Sequence, residues 1–126
     1  MKYALIGCGR IATNHVTAAV NNNLEIVAVC DIVPEKMEEI LAKHNLADDK
    51  SIKRYTDYKQ MLEENELELV SIATESGKHA AIALDAIDAG VSVIIEKPMA
   101  MNIADAEEII KRADEKNVKV SACHQN

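Results

Sequence analysis

Residues 3–20 decide the fold: Tyr3-Ala4-Leu5-Ile6 is a short apolar run, Gly7-Cys8-Gly9-Arg10-Ile11-Ala12 breaks it, and a helix-period stretch continues through Val20. The order is strand, glycine turn, helix start. Gly7 takes the tight turn, Gly9 leaves no Cβ between backbone and an approaching phosphate, and Ala12 is small enough for the helix to pack close to its strand. The helix amides and dipole end around Arg10 and Ile11 then face the anion, here a dinucleotide pyrophosphate. A second apolar run, Ile26-Val27-Ala28-Val29-Cys30, ends in Asp31. A carboxylate about 20 residues beyond the glycine turn, at the tip of the second strand, is placed to grip a ribose diol.

Asp31 also bears on the choice of nucleotide. Its carboxylate accepts both ribose hydroxyls and repels a 2′-phosphate, so NAD is favoured over NADP. Ile32 and Val33 supply no guanidinium for that phosphate, although Lys36 lies one turn further on. Ile32 joins the expected cofactor contacts.

At 126 residues and 48% apolar content, the chain has the size of one domain with a single substantial core. Acidic residues outnumber basic ones, 21 to 14, with no basic stripe, which argues against nucleic acid as a partner. Three cysteines, Cys8, Cys30 and Cys123, lack CxxC spacing and read as reduced thiols. No apolar stretch approaches the roughly 18 residues that span a bilayer, and no signal-peptide layout opens the chain. The expectation is a cytoplasmic protein without a membrane partner.

Downstream, Pro34 starts a helix with Met37, Ile40 and Leu41 on one face. A short strand is expected at Lys53–Tyr55, and Asp57 caps a helix carrying Tyr58, Met61 and Leu62. Leu67 to Ala73 reads as a buried strand, Gly77 to Ala89 as a helix with Ile82, Ala83, Ala86 and Ile87 inward, and Val91 to Ile95 as another strand. A helix from Ile103 to Lys116, with Ala106, Ile109, Ile110 and Ala113 on one stripe, leads to a strand from Val118 to Cys123. About six strands alternating with helices predict an α/β, Rossmann-type, doubly wound parallel sheet with helices on both faces. Domain and chain coincide at residues 1–126.

In such sheets the ligand lies across the carboxyl ends of the strands. The fourth strand is followed by Thr74-Glu75-Ser76-Gly77-Lys78-His79, the fifth by Glu96-Lys97-Pro98. Pro98 biases Lys97 towards an extended backbone. An ammonium beside a cationic nicotinamide is pushed towards its neutral form, which suits proton transfer; the alternative is an exposed lysine in a tight turn. Glu96 is a positioning partner or a polar strand end. His79 touches either ligand or only solvent and helix backbone. His15 and His44 are expected on helix surfaces. Cys8, near a helix N-terminus, is expected either to have a lowered pKa or simply to fill a loop position. Cys123-His124 lacks the further donors of a metal site.

With these residues in place, the sequence resembles the N-terminal domain of the Gfo/Idh/MocA oxidoreductase family. The resemblance covers essentially the whole chain and rests on Gly7 to Ala12, Asp31, Thr74 to His79, Ala89-Gly90 and Glu96-Lys97-Pro98. It implies NAD(P)-dependent hydride transfer at a sugar or cyclitol carbon. It also implies that Lys97 contacts substrate and helps move the hydroxyl proton, and that the Lys97-Pro98 bond is a candidate for cis. The resemblance places Gly7, Gly9, Arg10, Ile11, Ala12, Asp31, Ile32, Thr74, His79, Glu96 and Lys97 around the cofactor. His124-Gln125-Asn126 resembles the run found in members acting on nucleotide-linked amino sugars, which implies a UDP-sugar 3-dehydrogenase.

Two departures stand out. Many members have Pro and Asn where this chain has Glu75 and Ser76. The family's second domain, which supplies the substrate pocket and a catalytic histidine, has no counterpart here. The function expected is therefore the cofactor half of a dehydrogenase acting on a sugar-type hydroxyl, with a small sugar-type substrate once a second domain is supplied. A stand-alone NAD-binding sensor or subunit is the alternative, and a domain for another nucleotide such as S-adenosylmethionine is disfavoured. Self-association is expected through an apolar surface that the second domain would cover.

Overall fold

The computed structural model describes residues 1–97, 100 and 102–123, the side chains of 76 and 123 excepted. Six strands form one sheet in the order β3-β2-β1-β4-β5-β6, every pair parallel: β1 (Lys2–Ile6), β2 (Glu25–Cys30), β3 (Lys53–Tyr55), β4 (Leu69–Ile72), β5 (Ser92–Glu96) and β6 (Val120–Cys123). Between them run α1 (Ala12–Asn21), α2 (Pro34–Lys43), α3 (Tyr58–Glu64), α4 (His79–Asp88) and α5 (Ile103–Lys116). The chain moves outward one way from β1 and the other way from β4. The switch point of the doubly wound fold therefore falls between these two strands.

Right-handed crossovers running in opposite directions put helices on opposite faces. On one face Tyr3, Leu5 and Val29 pack with Val16 and Ala19 of α1 and Met37, Ile40 and Leu41 of α2. On the other, Ala4, Ile6, Val70, Ile72, Val93 and Ile95 pack with Met61 of α3, four residues of α4, and Ile109 and Ala113 of α5. Within each strand, alternate residues go to opposite faces, as the period of a strand requires. A core on both faces is why the strands read as continuous apolar runs.

The ends are set by local chemistry. Asp57 accepts from the Lys59 amide at 2.9 Å to begin α3, and Asn102 accepts from the Asp105 amide at 2.8 Å to begin α5. Asn117, at φ +58°, closes α5 in the left-handed conformation that asparagine tolerates. Three expectations are corrected. Residues Ser76–Lys78 form a turn of 3-10 helix, and α4 begins only at His79. The fourth and sixth strands are shorter than read, Leu69–Ile72 and Val120–Cys123. Ile110 is 59% exposed, because the face centred on Ile109 and Ala113 leaves the next residue about 100° round the helix.

Candidate cofactor site

Strand register builds the site. Tyr55, Cys30, Ile6, Ile72 and Ile95 form one row across five strands. The ladder continues one residue further where the Asp31, Gly7 and Ala73 amides donate to the Tyr55, Cys30 and Ile6 carbonyls at 3.0, 2.8 and 2.8 Å. Asp31, Gly7, Ala73 and Glu96 are thus four of the five residues that follow this row at the carboxyl edge, Thr56 after β3 being the fifth.

Gly7 has φ +94°, and a Cβ there would lie 2.7 Å from the Ala73 carbonyl carbon and 2.8 Å from the Thr74 nitrogen. Two backbones meet at the switch point, and only glycine allows the approach. Gly9 differs: a Cβ there would meet nothing within 4 Å, so the space above it is open. Ala12 is fully buried against the sheet. The N-terminus of α1 has Ile11 at its cap position, with no side-chain cap and no acidic residue in its first turn. Its dipole end is left for an external anion.

Asp31 is anchored from both sides. One carboxylate oxygen accepts from the Cys8 amide at 2.8 Å, the other from the Val33 amide at 2.8 Å. The first bond ties the tip of β2 to the glycine turn, so acid and phosphate cradle are held as one unit. A hollow of about 240 Å³ between the glycine turn and α2 is lined by Cys8, Gly9 and Ile40, by Arg10, Lys36 and Lys43, and by Glu39. Ile11 and Ile32 are 40% and 72% exposed at this edge, giving an adenine ring apolar surface to lie against. Open space at Gly9, an uncapped helix end and a carboxylate held beside them fit NAD.

Other expected residues take different places. His79 is 1% exposed, and its Nε2–H donates to the Thr74 carbonyl at 2.8 Å. It braces the Thr74–Lys78 loop through that bond. Where many family members have Pro and Asn, Glu75 accepts from the Lys78 amide at 3.0 Å, closing the 3-10 turn. Glu96 is 5% exposed and its carboxylate is turned inward. His15, expected on a helix surface, is 6% exposed, and its Nε2–H donates to Glu96 Oε1 at 2.5 Å. Sequence reading missed this partnership because its members are 81 residues apart. The available signal was the position of His15, three residues after Ala12 and so on the same helix face.

Lys97 is exposed one residue beyond β5. Pro98, and with it the cis expectation, lies outside the described residues, as do His124, Gln125 and Asn126. The lowered pKa considered for Cys8 is corrected: the thiol is pushed up to about 12 by burial first and by Asp31 second. The Asp31 carboxylate that organises the turn also opposes a thiolate there. Among the described residues no helix is long and apolar enough to cross a membrane.

Residues 1–124 match the family model described as an oxidoreductase family with an NAD-binding Rossmann fold, Gfo/Idh/MocA. Inositol 2-dehydrogenase of Salmonella typhimurium is 33% identical over 121 residues, 94% of this chain and 34% of that protein. D-apiose dehydrogenase of Paraburkholderia graminis is 32% identical over 126 residues, 99% of this chain and 32% of that protein. The chain thus spans about a third of the length of the curated relatives it matches. The solved WlbA dehydrogenase of Bordetella pertussis, in complex with NADH and UDP-GlcNAcA, superposes with a TM-score of 0.83 at 30% identity, covering 97% of this chain and 36% of that one. Glycine turn, anchored carboxylate, strand order and sequence agree: the chain belongs to the Gfo/Idh/MocA oxidoreductase family and is an NAD-binding Rossmann domain of it.

Proposed function

We propose that this chain is the cofactor half of an NAD-dependent dehydrogenase that oxidises a hydroxyl on a sugar, cyclitol or nucleotide sugar. The domain organisation proposed is residues 1–126 for the cofactor, with substrate held by a second domain of the kind that completes the longer relatives. The observation that carries the reading is the Asp31 carboxylate, bonded at 2.8 Å to the Cys8 amide and so fixed beside the glycine turn. Bound NAD supplies the acceptor for the hydride that leaves the carbinol carbon. The glycine turn and α1 bind the pyrophosphate, Asp31 takes the adenosine ribose, and Thr74, on the loop braced by His79, lines the route towards the nicotinamide. Lys97 is the proposed catalytic residue: its amine takes the hydroxyl proton as the alcohol becomes a ketone.

Two features support a nucleotide-sugar substrate, the likeness to WlbA and the terminal run His124-Gln125-Asn126. The cytoplasm is the proposed location, supported by the free thiols Cys8 and Cys30. Self-association is proposed through surface that a second domain would cover. The exposed large apolar side chains among the described residues are spread over both ends of the sheet and over α5, so sedimentation is the test.

The deciding measurement is calorimetric titration with NAD and NADP. NAD should bind better than NADP, and Asp31→Ala should weaken NAD by roughly tenfold to a hundredfold, the range for hydrogen bonds to a charged group. Asp31→Asn keeps one acceptor for the Cys8 amide and separates loss of ribose contact from loss of the turn. Equal binding of the two nucleotides, or NAD binding indifferent to Asp31→Ala, would sink the reading.

A further inference from the structure

Burying an imidazole against a carboxylate costs desolvation that an apolar pair would not incur, so such a pair calls for a reason besides stability. His15 and Glu96 are this pair, with side chains 5% and 7% exposed and 2.5 Å between Nε2 and Oε1. Their places in the fold supply the reason. His15 stands near the N-terminal end of α1, the end offered to the pyrophosphate, and α1 packs chiefly against β1 and β2. Glu96 ends β5, two strands over from β1, and the next residue is Lys97.

Backbone pairing joins β5 only to its neighbours in the sheet, β4 and β6. The register pairs Ile95 with Ile72 of β4 and Glu96 with Cys123 of β6. The Glu96 side chain adds a bond to α1, which the backbone ladder does not reach. We propose that the His15–Glu96 bond is a positioning device that holds the Lys97 turn in register with the glycine turn, so that the Lys97 amine stands at the nicotinamide end of a nucleotide bound by α1. Both members act through Lys97, and neither touches the reacting atoms. This rests on the reading of the carboxyl edge as an NAD site with Lys97 as its proton carrier.

The test measures affinities for NADH, NAD+ and ADP-ribose on the chain and on the variants Lys97→Met, His15→Leu, His15→Gln and Glu96→Met, with thermal unfolding alongside. A lysine charge near the ring favours uncharged reduced nicotinamide over the cationic oxidised form, so Lys97→Met should shrink the NADH preference about fivefold. His15→Leu should shrink it by the same factor and add nothing further in the Lys97→Met background. ADP-ribose, which has no nicotinamide, should keep its affinity within about twofold. His15→Gln retains an N–H donor and should restore the preference.

A His15→Leu protein that keeps the full NADH preference overturns the proposal, and so does one whose ADP-ribose affinity falls in parallel, as general loosening would cause. Should His15→Leu fail to fold, Glu96→Met, similar in length but without the oxygen acceptor, carries the same comparison. An NADH preference indifferent to Lys97→Met, with ADP-ribose still bound, overturns the proposal alone. No ADP-ribose binding by the unmodified chain overturns the underlying reading of the site.

Discussion

Gly7 and Gly9 are two letters apart and have opposite duties. A methyl at Gly7 meets the Ala73 and Thr74 backbone below 3 Å at a positive φ, whereas a methyl at Gly9 enters open space. Gly7→Ala should therefore destabilise the domain by about 3 kcal/mol, from strain and overlap together. Gly9→Ala should change stability by less than about 1 kcal/mol yet weaken NAD, because its methyl stands where phosphate would approach. Denaturant unfolding and titration of both variants check the pair. Cys8 offers a pH test. Burial pushes Cys8 and Cys30 from the ordinary 9.0 up to about 12, and a thiol with a raised folded pKa keeps its stabilising contribution below the unfolded value and loses it above. The thiols should make stability fall as pH rises from about 9 towards 12, with a smaller fall in Cys8→Ala. The glycine turn was legible in the letters because its requirements are local. The state of Cys8 was not, since burial and Asp31 reach it only through the fold.

At the scale of elements, the helices differ in how their N-termini are completed. Asp57 and Asn102 cap α3 and α5 with their own side chains. Asp57→Ala and Asn102→Ala should each cost about 1 kcal/mol, measurable by urea unfolding, without changing nucleotide affinity. The α1 terminus has no such cap. Amides of its first turn should exchange with solvent more slowly when NAD or ADP-ribose is added, while those of α5 stay unchanged. Equal slowing in α1 and α5 would mean general stabilisation and no anion at α1. The strand and helix alternation was readable because a buried parallel strand is an apolar run and a surface helix keeps its period. The 3-10 turn before α4 was not, because it depends on Glu75 and Lys78 closing a local bond that competes with an earlier helix start.

For the whole molecule, a ligand that binds only the folded state raises its stability by mass action. NAD at about a hundred times its dissociation constant should add roughly 2.7 kcal/mol, a rise of several degrees in melting temperature, and NADP should add less. The sequence by itself determined the alternating architecture, the glycine turn and the acid beyond the second strand, because each is written in a window of neighbouring residues whose periodicity or backbone freedom is a local property. Only the tertiary structure decided that Asp31 is tied to the Cys8 amide, that His79 braces the Thr74 loop, and that His15 is buried against Glu96. Those contacts join residues on different elements, and their partners are fixed by strand order and register, which local propensity does not specify.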